Sequence, residues 1–354
     1  MKTLLSEIDK ENFNVFEKKI ADETVFLVYA QAGTEWSQNN IIFRSSVWNS
    51  EGELISPSFK KFFNWDECPD IDPKPYLISS CQLIEKIDGS TLIVSKYKNN
   101  LITRTRGSID ISGCENSDEI DHFKTQYPRA FEVPEGHSYI YEWVSPKNRI
   151  VLDYKQPELF LIAVIEHSDY SMWKQEDLNE LAVKLGVPRP KIFNFITMEE
   201  MLGTVKAFKG IEGICAYYNH GQNIRKIKSA EYLTLHRFKY DLSMENVLEM
   251  FLKYNQPKYN DFISKIATEF DWECTQFITG YASKICDASI EVNKIIDAMK
   301  IFADSCRNLS RKDAAAKIIA AYGKTNRSAY VFNFLDNKEI SQEGLKKLYF
   351  QVLK

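Results

Sequence analysis

The run Glu85-Lys86-Ile87-Asp88-Gly89-Ser90 decides how the rest of this chain is interpreted. An apolar segment, 76–84, precedes it and another, 91–94, follows it, so we expect the lysine at the bend between two strands. The carboxylate and the glycine beside the lysine would let a phosphate approach the backbone closely. Asp-Gly is also one of the strongest hairpin signals, so a plain β-hairpin is the alternative interpretation.

Composition describes an ordinary globular protein. The chain has 354 residues, 44% hydrophobic and 27% charged, and this length favours two domains. No apolar run approaches the roughly eighteen residues of a membrane span, and the first residues turn acidic too early for a signal peptide. The seven cysteines are scattered without a Cys-x-x-Cys pair, which argues against a disulfide framework or a zinc site. We therefore expect a cytoplasmic protein with no membrane partner.

The charge pattern leaves the class of partner open. A net charge of −4 does not favour nucleic-acid binding, but a local basic face matters more than the sum. Two basic clusters are present, and each taken alone is best interpreted as a solvated strand face. They are Lys96, Lys98, Arg104 and Arg106, and Arg225, Lys226, Lys228, Arg237 and Lys239.

Strand-like segments recur before residue 240 and helical periodicity follows it. The expected strands are 24–29, 40–48, 53–56, 101–108, 139–144, 150–152, 159–165, 212–218 and 224–228, the last two as a hairpin. Alternation in 101–108 would put Thr103 and Thr105 on one face and Arg104 and Arg106 on the other. Capping patterns open helices at Thr197, ending near Gly210, and at Ser310. We therefore predict an α+β protein with a strand-rich domain over 1–240 and an all-helical domain over 241–354.

Several familiar catalytic motifs are missing. The sequence has no Gly-x-Gly-x-x-Gly, no His-Glu-x-x-His and no Gly-x-Ser-x-Gly. Gly323-Lys324-Thr325 lacks the earlier glycine that a phosphate loop requires, since that position is Ile318. Dinucleotide-binding, zinc-protease and serine-hydrolase classes are therefore disfavoured.

The motifs that are present occur in an order that resembles a known superfamily. Lys86-Ile87-Asp88-Gly89 is followed by the acidic strand at Glu142, then Glu212-Gly213, then Lys226-Ile227-Lys228. This order resembles the covalent nucleotidyltransferases, which comprise ATP-dependent ligases and capping enzymes. Within them the chain is most similar to the RNA ligases of T-even phages, the tRNA-repair type. The segments that carry this closer similarity are 61–64, 86–90, 106–109, 146–152 and 226–229.

The resemblance implies a fold and a reaction. The fold would be a nucleotidyltransferase domain of ATP-grasp-like antiparallel sheets followed by a helical domain. In the family, a lysine amine attacks the α-phosphorus of ATP and keeps AMP, which here implies Lys86. A lysine pKa of about 10.4 must fall for this attack, and nearby cations with desolvation would lower it. Mg²⁺ would assist together with Lys226 and Lys228 as catalytic residues.

The resemblance also implies which residues contact the nucleotide and the metal. Glu212 is the best metal ligand, and Glu142 is a second metal ligand or a ribose contact. Arg106 stands where the family pattern has a lysine, and a guanidinium can still hold a phosphate or ribose oxygen. The full set of expected nucleotide contacts is Arg44, Lys61, Phe63, Asp88, Gly89, Arg106, Glu142, Phe160, Glu212 and Tyr232.

The implied partner is RNA with 5′-phosphate and 3′-hydroxyl ends, with broken tRNA as the expected substrate of a monomeric enzyme. One alternative is a DNA ligase or a capping-type nucleotidyltransferase, but these usually carry a β-barrel after the Lys-x-Lys motif. Another alternative is a non-catalytic RNA-binding relative. The intact set of lysines and glutamates argues against it, because binding alone does not require Lys86.

Overall fold

The computed structural model describes residues 6, 8–20, 22–31, 33–239, 241–270 and 272–353. The chain divides into two compact units, Met1–Lys239 and Tyr240–Lys354. Residue 240, where we predicted the boundary, and residues 1–5 and 7, on which the signal-peptide argument rests, lie outside the described part. The first unit is built from antiparallel sheets with four helices and the second unit from helices, so the α+β class is confirmed.

Thirteen strands of the described residues form three sheets. They are β1 Phe13–Ile20, β2 Glu23–Ala30, β3 Ser45–Asn49, β4 Leu54–Pro57, β5 Phe63–Asn64, β6 Gln82–Lys86, β7 Ser90–Tyr97, β8 Asn100–Arg104, β9 His137–Val144, β10 Glu158–Glu166, β11 Ile192–Phe193, β12 Gly213–Tyr218 and β13 Asn223–Lys228. The strand orders are β1-β2-β3-β4, β10-β9-β7-β8 and β11-β6-β12-β13-β5, which we call the first, second and third sheets. Every pair is antiparallel except the short parallel pair of β13 with β5.

The second sheet is the central layer because both of its faces are buried. Side chains alternate along β7, so Leu92 and Val94 face one way and Ile93 faces the other. The Leu92 face packs against helices α1 and α2, which are Asp118–Gln126 and Gln175–Leu185. The Ile93 face joins a core to which the first and third sheets also contribute. This stacking brings the ends of β6, β9, β12 and β13 to one cavity.

The hairpin alternative for the run around Lys86 is wrong. Strand β6 pairs with β11 and β12 in the third sheet, whereas β7 pairs with β8 and β9 in the second sheet. Lys86 is the last residue of β6, and Asp88-Gly89 lead the chain from one sheet into another. The strand predicted from residue 76 begins only at Gln82, after a 3-10 turn at Ile78–Ser80.

Three other predicted strands differ from the structure. Segment 40–48 starts as the 3-10 helix Ile41–Arg44 and extends only from Ser45. Segment 101–108 ends as a strand at Arg104, so Arg106 lies in a loop rather than on the face of Arg104. Segment 150–152 is bent and does not continue a sheet, because the amides of its last two residues donate to Asp88 instead of to a strand.

The starts of two helices were predictable because a capping residue precedes each of them. Thr197 accepts a hydrogen bond from the Glu200 amide at the start of α3, Met198–Lys206, which ends one turn before Gly210. Ser310 accepts from the Asp313 amide in the same way. The remaining helices are α4 Ala230–Lys239, α5 Met244–Lys253, α6 Tyr259–Glu269, α7 Trp272–Asp304, α8 Arg311–Tyr322, α9 Asn326–Leu335 and α10 Gln342–Val352. Among the described residues, no helix is both long and apolar enough to cross a membrane.

Candidate active site

A cavity of about 690 Å³ lies where the second and third sheets face each other, and we call it the lysine cavity. Eight of the residues predicted for the site line it together. They are Arg44, Lys86, Gly89, Arg106, Glu142, Glu212, Lys226 and Lys228. They come from β6, β9, β13, the 3-10 helix before β3 and the segments before β7, after β8 and before β12, so the cavity is assembled from segments distant in sequence.

A single buried carboxylate joins two lysines in this cavity. Lys86 Nζ donates to Glu212 Oε2 at 2.8 Å, and Lys228 Nζ lies 3.5 Å from Glu212 Oε1. Strand register explains the arrangement, because Gly213 pairs with Lys86 on one side and with Lys228 on the other. Glu212 immediately precedes Gly213, is 2% exposed, and therefore sits between the two ammonium groups.

Two glycines permit the close approach of strands around these charges. A Cβ on Gly213 would lie 2.0 Å from the carbonyl oxygen of Ile227, and one on Gly89 would lie 2.4 Å from that of Trp143. Both contacts are with backbone atoms, which cannot rotate away as a side chain could. Glycine is therefore required at both positions for the backbones to approach as closely as they do.

The two carboxylates change the ionisation of the site. Burial acts to lower the pKa of Lys86, but Glu212 and Glu142 outweigh it and raise that pKa above the usual range of a lysine. This differs from the lowered pKa expected for a nucleophile, because the ion pair with Glu212 stabilises the ammonium form. Burial raises the pKa of Glu142 to about 7, opposed by Lys86 and assisted by the negative charge of Glu212.

The pair Glu142 and Glu212 suits a magnesium ion that is shared with a substrate. Mg²⁺ in nucleotide-binding sites takes one or two protein carboxylates and completes its shell with phosphate oxygens and water. No group of three or more metal-binding side chains is found within the described residues. Two carboxylates of the lysine cavity, one from the second sheet and one beside the third, match the smaller donor set.

Two arginines, Arg44 and Arg106, line another part of the cavity wall. The guanidinium of Arg44 lies over the ring of Phe62, 4.8 Å from its centroid. Burial and, to a smaller extent, the positive charge of Arg106 lower the pKa of Arg44 to about 10, while Glu142 opposes the shift. Two cations on one cavity wall favour a bound anion.

Asp88 does not line the cavity but organises the backbone behind Lys86. It is 3% exposed, and its Oδ2 accepts hydrogen bonds from the amides of Val151 at 2.8 Å and Leu152 at 2.7 Å. Its Oδ1 accepts from the Tyr232 hydroxyl at 2.7 Å. Asp88 and Tyr232 were predicted as nucleotide contacts; the structure joins them to each other and puts both outside the cavity lining.

Lys61, Phe63 and Phe160 are three further predicted contacts that do not line the lysine cavity. Lys61 Nζ pairs with Glu67 at 3.0 Å and, with Phe63, lines a separate cavity of about 50 Å³. Phe160 lies opposite Glu142 in the register of β10 with β9.

The cavity also contains residues that the sequence reasoning missed. Ser90 Oγ donates to Asn148 Oδ1 at 3.0 Å, and Asn148 Nδ2 donates to the Trp143 carbonyl at 2.9 Å. Both polar residues occur in segments already singled out, so their place in those segments was the available signal. Cys215 carries no such signal, since only its register with Lys226 brings it to the cavity.

Comparison with known proteins identifies the family of this chain. Residues 41–242 match the family model described as RNA ligase. An RNA ligase of Rhodothermus phage RM378 is 25% identical over 283 residues, which cover 61% of this chain and 63% of the relative. A putative bifunctional polynucleotide kinase/RNA ligase of Autographa californica nuclear polyhedrosis virus is 26% identical over 208 residues, covering 52% of this chain and 29% of the relative.

The structural likenesses are more distant. An archaeal ATP-dependent RNA ligase aligns with a TM-score of 0.46 and 12% identity, over 76% of this chain and 72% of the other. The chain spans less than two thirds of the length of the curated relatives named above. The family match covers more than half of the chain and confirms the family expected from the motifs. The chain belongs to the RNA ligase family.

Proposed function

We propose that this chain is an ATP- and Mg²⁺-dependent RNA ligase that carries AMP on Lys86. The observation that carries the proposal is the Lys86 ammonium inside the cavity, 2.8 Å from Glu212, with Lys226 and Lys228 on the same wall. Residues 1–240 would form the adenylyltransferase domain and residues 241–354 the helical domain. Family membership supports an RNA substrate.

In the first step the neutral amine of Lys86 attacks the α-phosphorus of ATP. A P–N bond forms, the bond from the α-phosphorus to the bridging oxygen breaks, and pyrophosphate leaves with that electron pair. The nitrogen then loses one proton to solvent. Lys226, Lys228 and the two cavity arginines would stabilise the negative charge that grows on the phosphates.

Glu212 has two tasks that exclude each other. Bound to Lys86, it stabilises the ammonium form and so opposes attack. Turned towards a metal ion, with Glu142 beside it, Glu212 would no longer support the ammonium, and the pKa of Lys86 would fall. Bound Mg²⁺ supplies positive charge to the reacting phosphate. The raised pKa of the free protein is therefore compatible with a nucleophile that is activated only when nucleotide and metal are present.

The second and third steps use the same basic wall. The AMP group passes from Lys86 to a 5′-phosphate of RNA, which forms a 5′–5′ anhydride and frees the lysine. A 3′-hydroxyl then attacks the RNA phosphate, a phosphodiester forms, and AMP leaves. Each step moves charge onto a phosphate oxygen, so one set of cations can serve all three.

The other expected residues keep separate roles in this proposal. Asp88 and Tyr232 would act by holding the backbone next to Lys86 rather than by touching ATP. Contacts of Lys61, Phe63 and Phe160 with the nucleotide stay predictions from the resemblance. Broken tRNA as the physiological substrate, the monomeric state and a cytosolic location also stay predictions.

Labelling with α-labelled ATP and magnesium tests the proposal. The wild-type chain should become covalently labelled, Lys86→Ala should not, and Lys147→Ala should behave as the wild type. Lys147 is the matched control because it is a lysine of the same unit that pairs with Asp118 at the surface. Label on Lys86→Ala, or none on the wild type, would contradict the proposal. Preferential labelling by GTP would favour a capping enzyme, and sealing of nicked DNA rather than broken RNA would favour a DNA ligase.

A further inference from the structure

A second buried cation lies next to the lysine cavity without lining it. Arg104 is the last residue of β8 and is 0% exposed. Its guanidinium donates to Ser56 Oγ at 2.9 Å, to the Ser56 carbonyl at 2.6 Å and to Ser45 Oγ at 2.8 Å. Ser45 and Ser56 belong to β3 and β4, so Arg104 joins the second sheet to the first.

This cation has hydroxyl and carbonyl partners but no carboxylate. None of the described residues forms an ion pair with Arg104, and burial lowers its pKa to about 9. An uncompensated buried charge is unfavourable unless hydrogen bonds occupy its donors. Four N–H···O contacts do so here, the fourth to the Thr105 carbonyl at 3.0 Å. An apolar side chain of the same shape could join the two sheets without this cost. Sheet packing alone therefore does not explain why the residue is charged.

The explanation is suggested by what Arg104 holds. The Ser45 hydroxyl accepts a hydrogen bond from Arg104 and donates one to the carbonyl of Arg106 at 2.7 Å. Ser45 therefore links Arg104 to the backbone of Arg106. Ser45 directly follows Arg44 in the chain, and Thr105 directly precedes Arg106. The two residues next to Arg104 in this network therefore each adjoin one arginine of the cavity wall.

The loop that carries Arg106 has further support on its other side. The Thr105 amide donates to Ser108 Oγ at 3.1 Å, and the hydroxyls of these two residues lie 2.9 Å apart. The Arg106 side chain itself is exposed and reaches the cavity. Two guanidiniums that repel each other would separate unless their backbones were fixed. The hydrogen bonds of Arg104 and Ser45 hold the backbone next to Arg44 and the backbone of Arg106.

We propose that Arg104 is a positioning residue for adenylation, which holds Arg44 and Arg106 at the spacing that the phosphates of ATP require. It acts through the Ser45 hydroxyl and the Thr105 carbonyl and touches neither nucleotide nor RNA. The inference rests on the proposed function, because it assigns the two cavity arginines to ATP. The competing explanation is that Arg104 only stabilises the packing of the second sheet against the first.

Two buried serines separate these explanations without removing the arginine. Ser45 and Ser95 are both 0% exposed, and both belong to the polar network between the first and second sheets. Ser95 Oγ lies 2.7 Å from Ser56 Oγ and 2.5 Å from Ser138 Oγ, and it has no bond to the loop of Arg106. Ser45→Ala and Ser95→Ala therefore remove the same group from the same network, and only Ser45→Ala breaks the path to Arg106.

The experiment measures the rate of covalent AMP labelling against ATP concentration for both variants. We expect Ser45→Ala to raise the KM for ATP about tenfold, less than the roughly hundredfold that a 1 Å misplacement of a reacting group can cost. The labelling rate at saturating ATP should change little, and Ser95→Ala should keep the wild-type KM. Equal KM values for the two variants, with the wild type active, would overturn the positioning role. An inactive wild type would instead overturn the proposed function.

A double substitution tests whether the effect passes through Arg106. If it does, Ser45→Ala should raise the KM of Arg106→Ala by clearly less than the tenfold expected in the wild type, because one of the two arginines that it positions is already missing. Full additivity of the two effects would contradict the proposed path. Arg104→Lys, which keeps the charge and loses the planar fork, should raise the KM as Ser45→Ala does. Thermal unfolding of all five variants shows whether each remains folded.

Discussion

The two units of this chain bury very different side chains. Among the described residues, the first unit buries several charged side chains, including Arg104, Glu142, Glu212 and Arg225. The described part of the helical unit buries no acidic or basic side chain; its buried hydroxyls belong to Thr275, Ser328, Tyr330 and Tyr349. Its core is otherwise an apolar cluster along α7, with α5, α6, α9 and α10 packed on it.

The difference indicates where the chemistry lies. A buried charge opposes folding unless it is paired or fully hydrogen-bonded, whereas an apolar core contributes stability directly. In the first unit, Glu142, Glu212 and Arg104 lie in the lysine cavity or in the network next to it, whereas Asp72 and Arg225 pair with each other outside the cavity lining. The core of the helical unit is mostly apolar, so we expect it to contribute stability rather than chemistry. Substitutions in the two units should therefore separate activity from stability.

The largest effect is expected from Glu212→Gln. This change removes the partner of Lys86 and Lys228 and a proposed metal ligand at once, so AMP labelling should fall about a thousandfold, since metal and electrostatic stabilisation are worth several kcal/mol. The rate of labelling by α-labelled ATP measures it. Asp72→Asn is the matched control, because Asp72 is a buried carboxylate that binds Tyr218 and Asn223 away from the lysine cavity. A similar loss in both variants would mean that any buried carboxylate of this unit matters equally.

The next effect concerns the helical unit and should leave labelling intact. Ile278 is 0% exposed within α7, so Ile278→Ala should lower the free energy of unfolding by about 3 kcal/mol through lost burial and a cavity. Chemical denaturation gives this value, and Gln276→Ala on the exposed face of α7 is the control. Reduced AMP labelling of the folded Ile278→Ala protein would show that the helical core also supports catalysis.

A smaller, pH-dependent effect is expected from Glu142→Gln. The folded pKa of about 7 lies above the ordinary value of 4.5, so the stability associated with the protonated carboxyl is fully present below pH 4.5. It is lost as the pH rises through 7, and glutamine avoids this loss. The variant should therefore become more stable than the wild type as the pH rises above 5, by roughly 2 kcal/mol at pH 6, because one pKa unit corresponds to 1.36 kcal/mol. A stability difference that does not vary with pH would contradict the raised pKa of Glu142.

The smallest effect should come from a surface charge of the helical unit. Lys346 Nζ lies 3.1 Å from Glu245 and 2.5 Å from Glu249, and both carboxylates are exposed. Lys346→Met should shift the unfolding midpoint less than Ile278→Ala does, and the shift should vanish in about 1 M salt, where screening is nearly complete. A large shift that salt does not reduce would show that charge also stabilises this unit.

Local features were predictable because they depend on neighbours in the chain. The hairpin of β12 and β13, the strands β7, β9 and β10, and the capped starts of α3 and α8 all follow from alternation, turn residues or capping hydroxyls within a few positions. The order of motifs likewise sufficed for the RNA ligase family. The change from strands to helices near residue 240 was visible in periodicity alone.

Partners across the fold were not predictable, because periodicity tells which face is buried and not what lies opposite. The segments on either side of Lys86 looked like one hairpin, yet they enter different sheets. Lys61 looked like a phosphate contact, yet it pairs with Glu67 outside the cavity.

By itself, the sequence determined the family, the α+β class and the group of charged residues that deserve testing. Only the tertiary structure decided which of these charges meet. The registers of β6, β12 and β13 put Glu212 between Lys86 and Lys228, and the packing of three sheets puts Arg104 behind Arg44 and Arg106. Pairing of this kind depends on distances between residues far apart in the chain, and no local pattern specifies those distances.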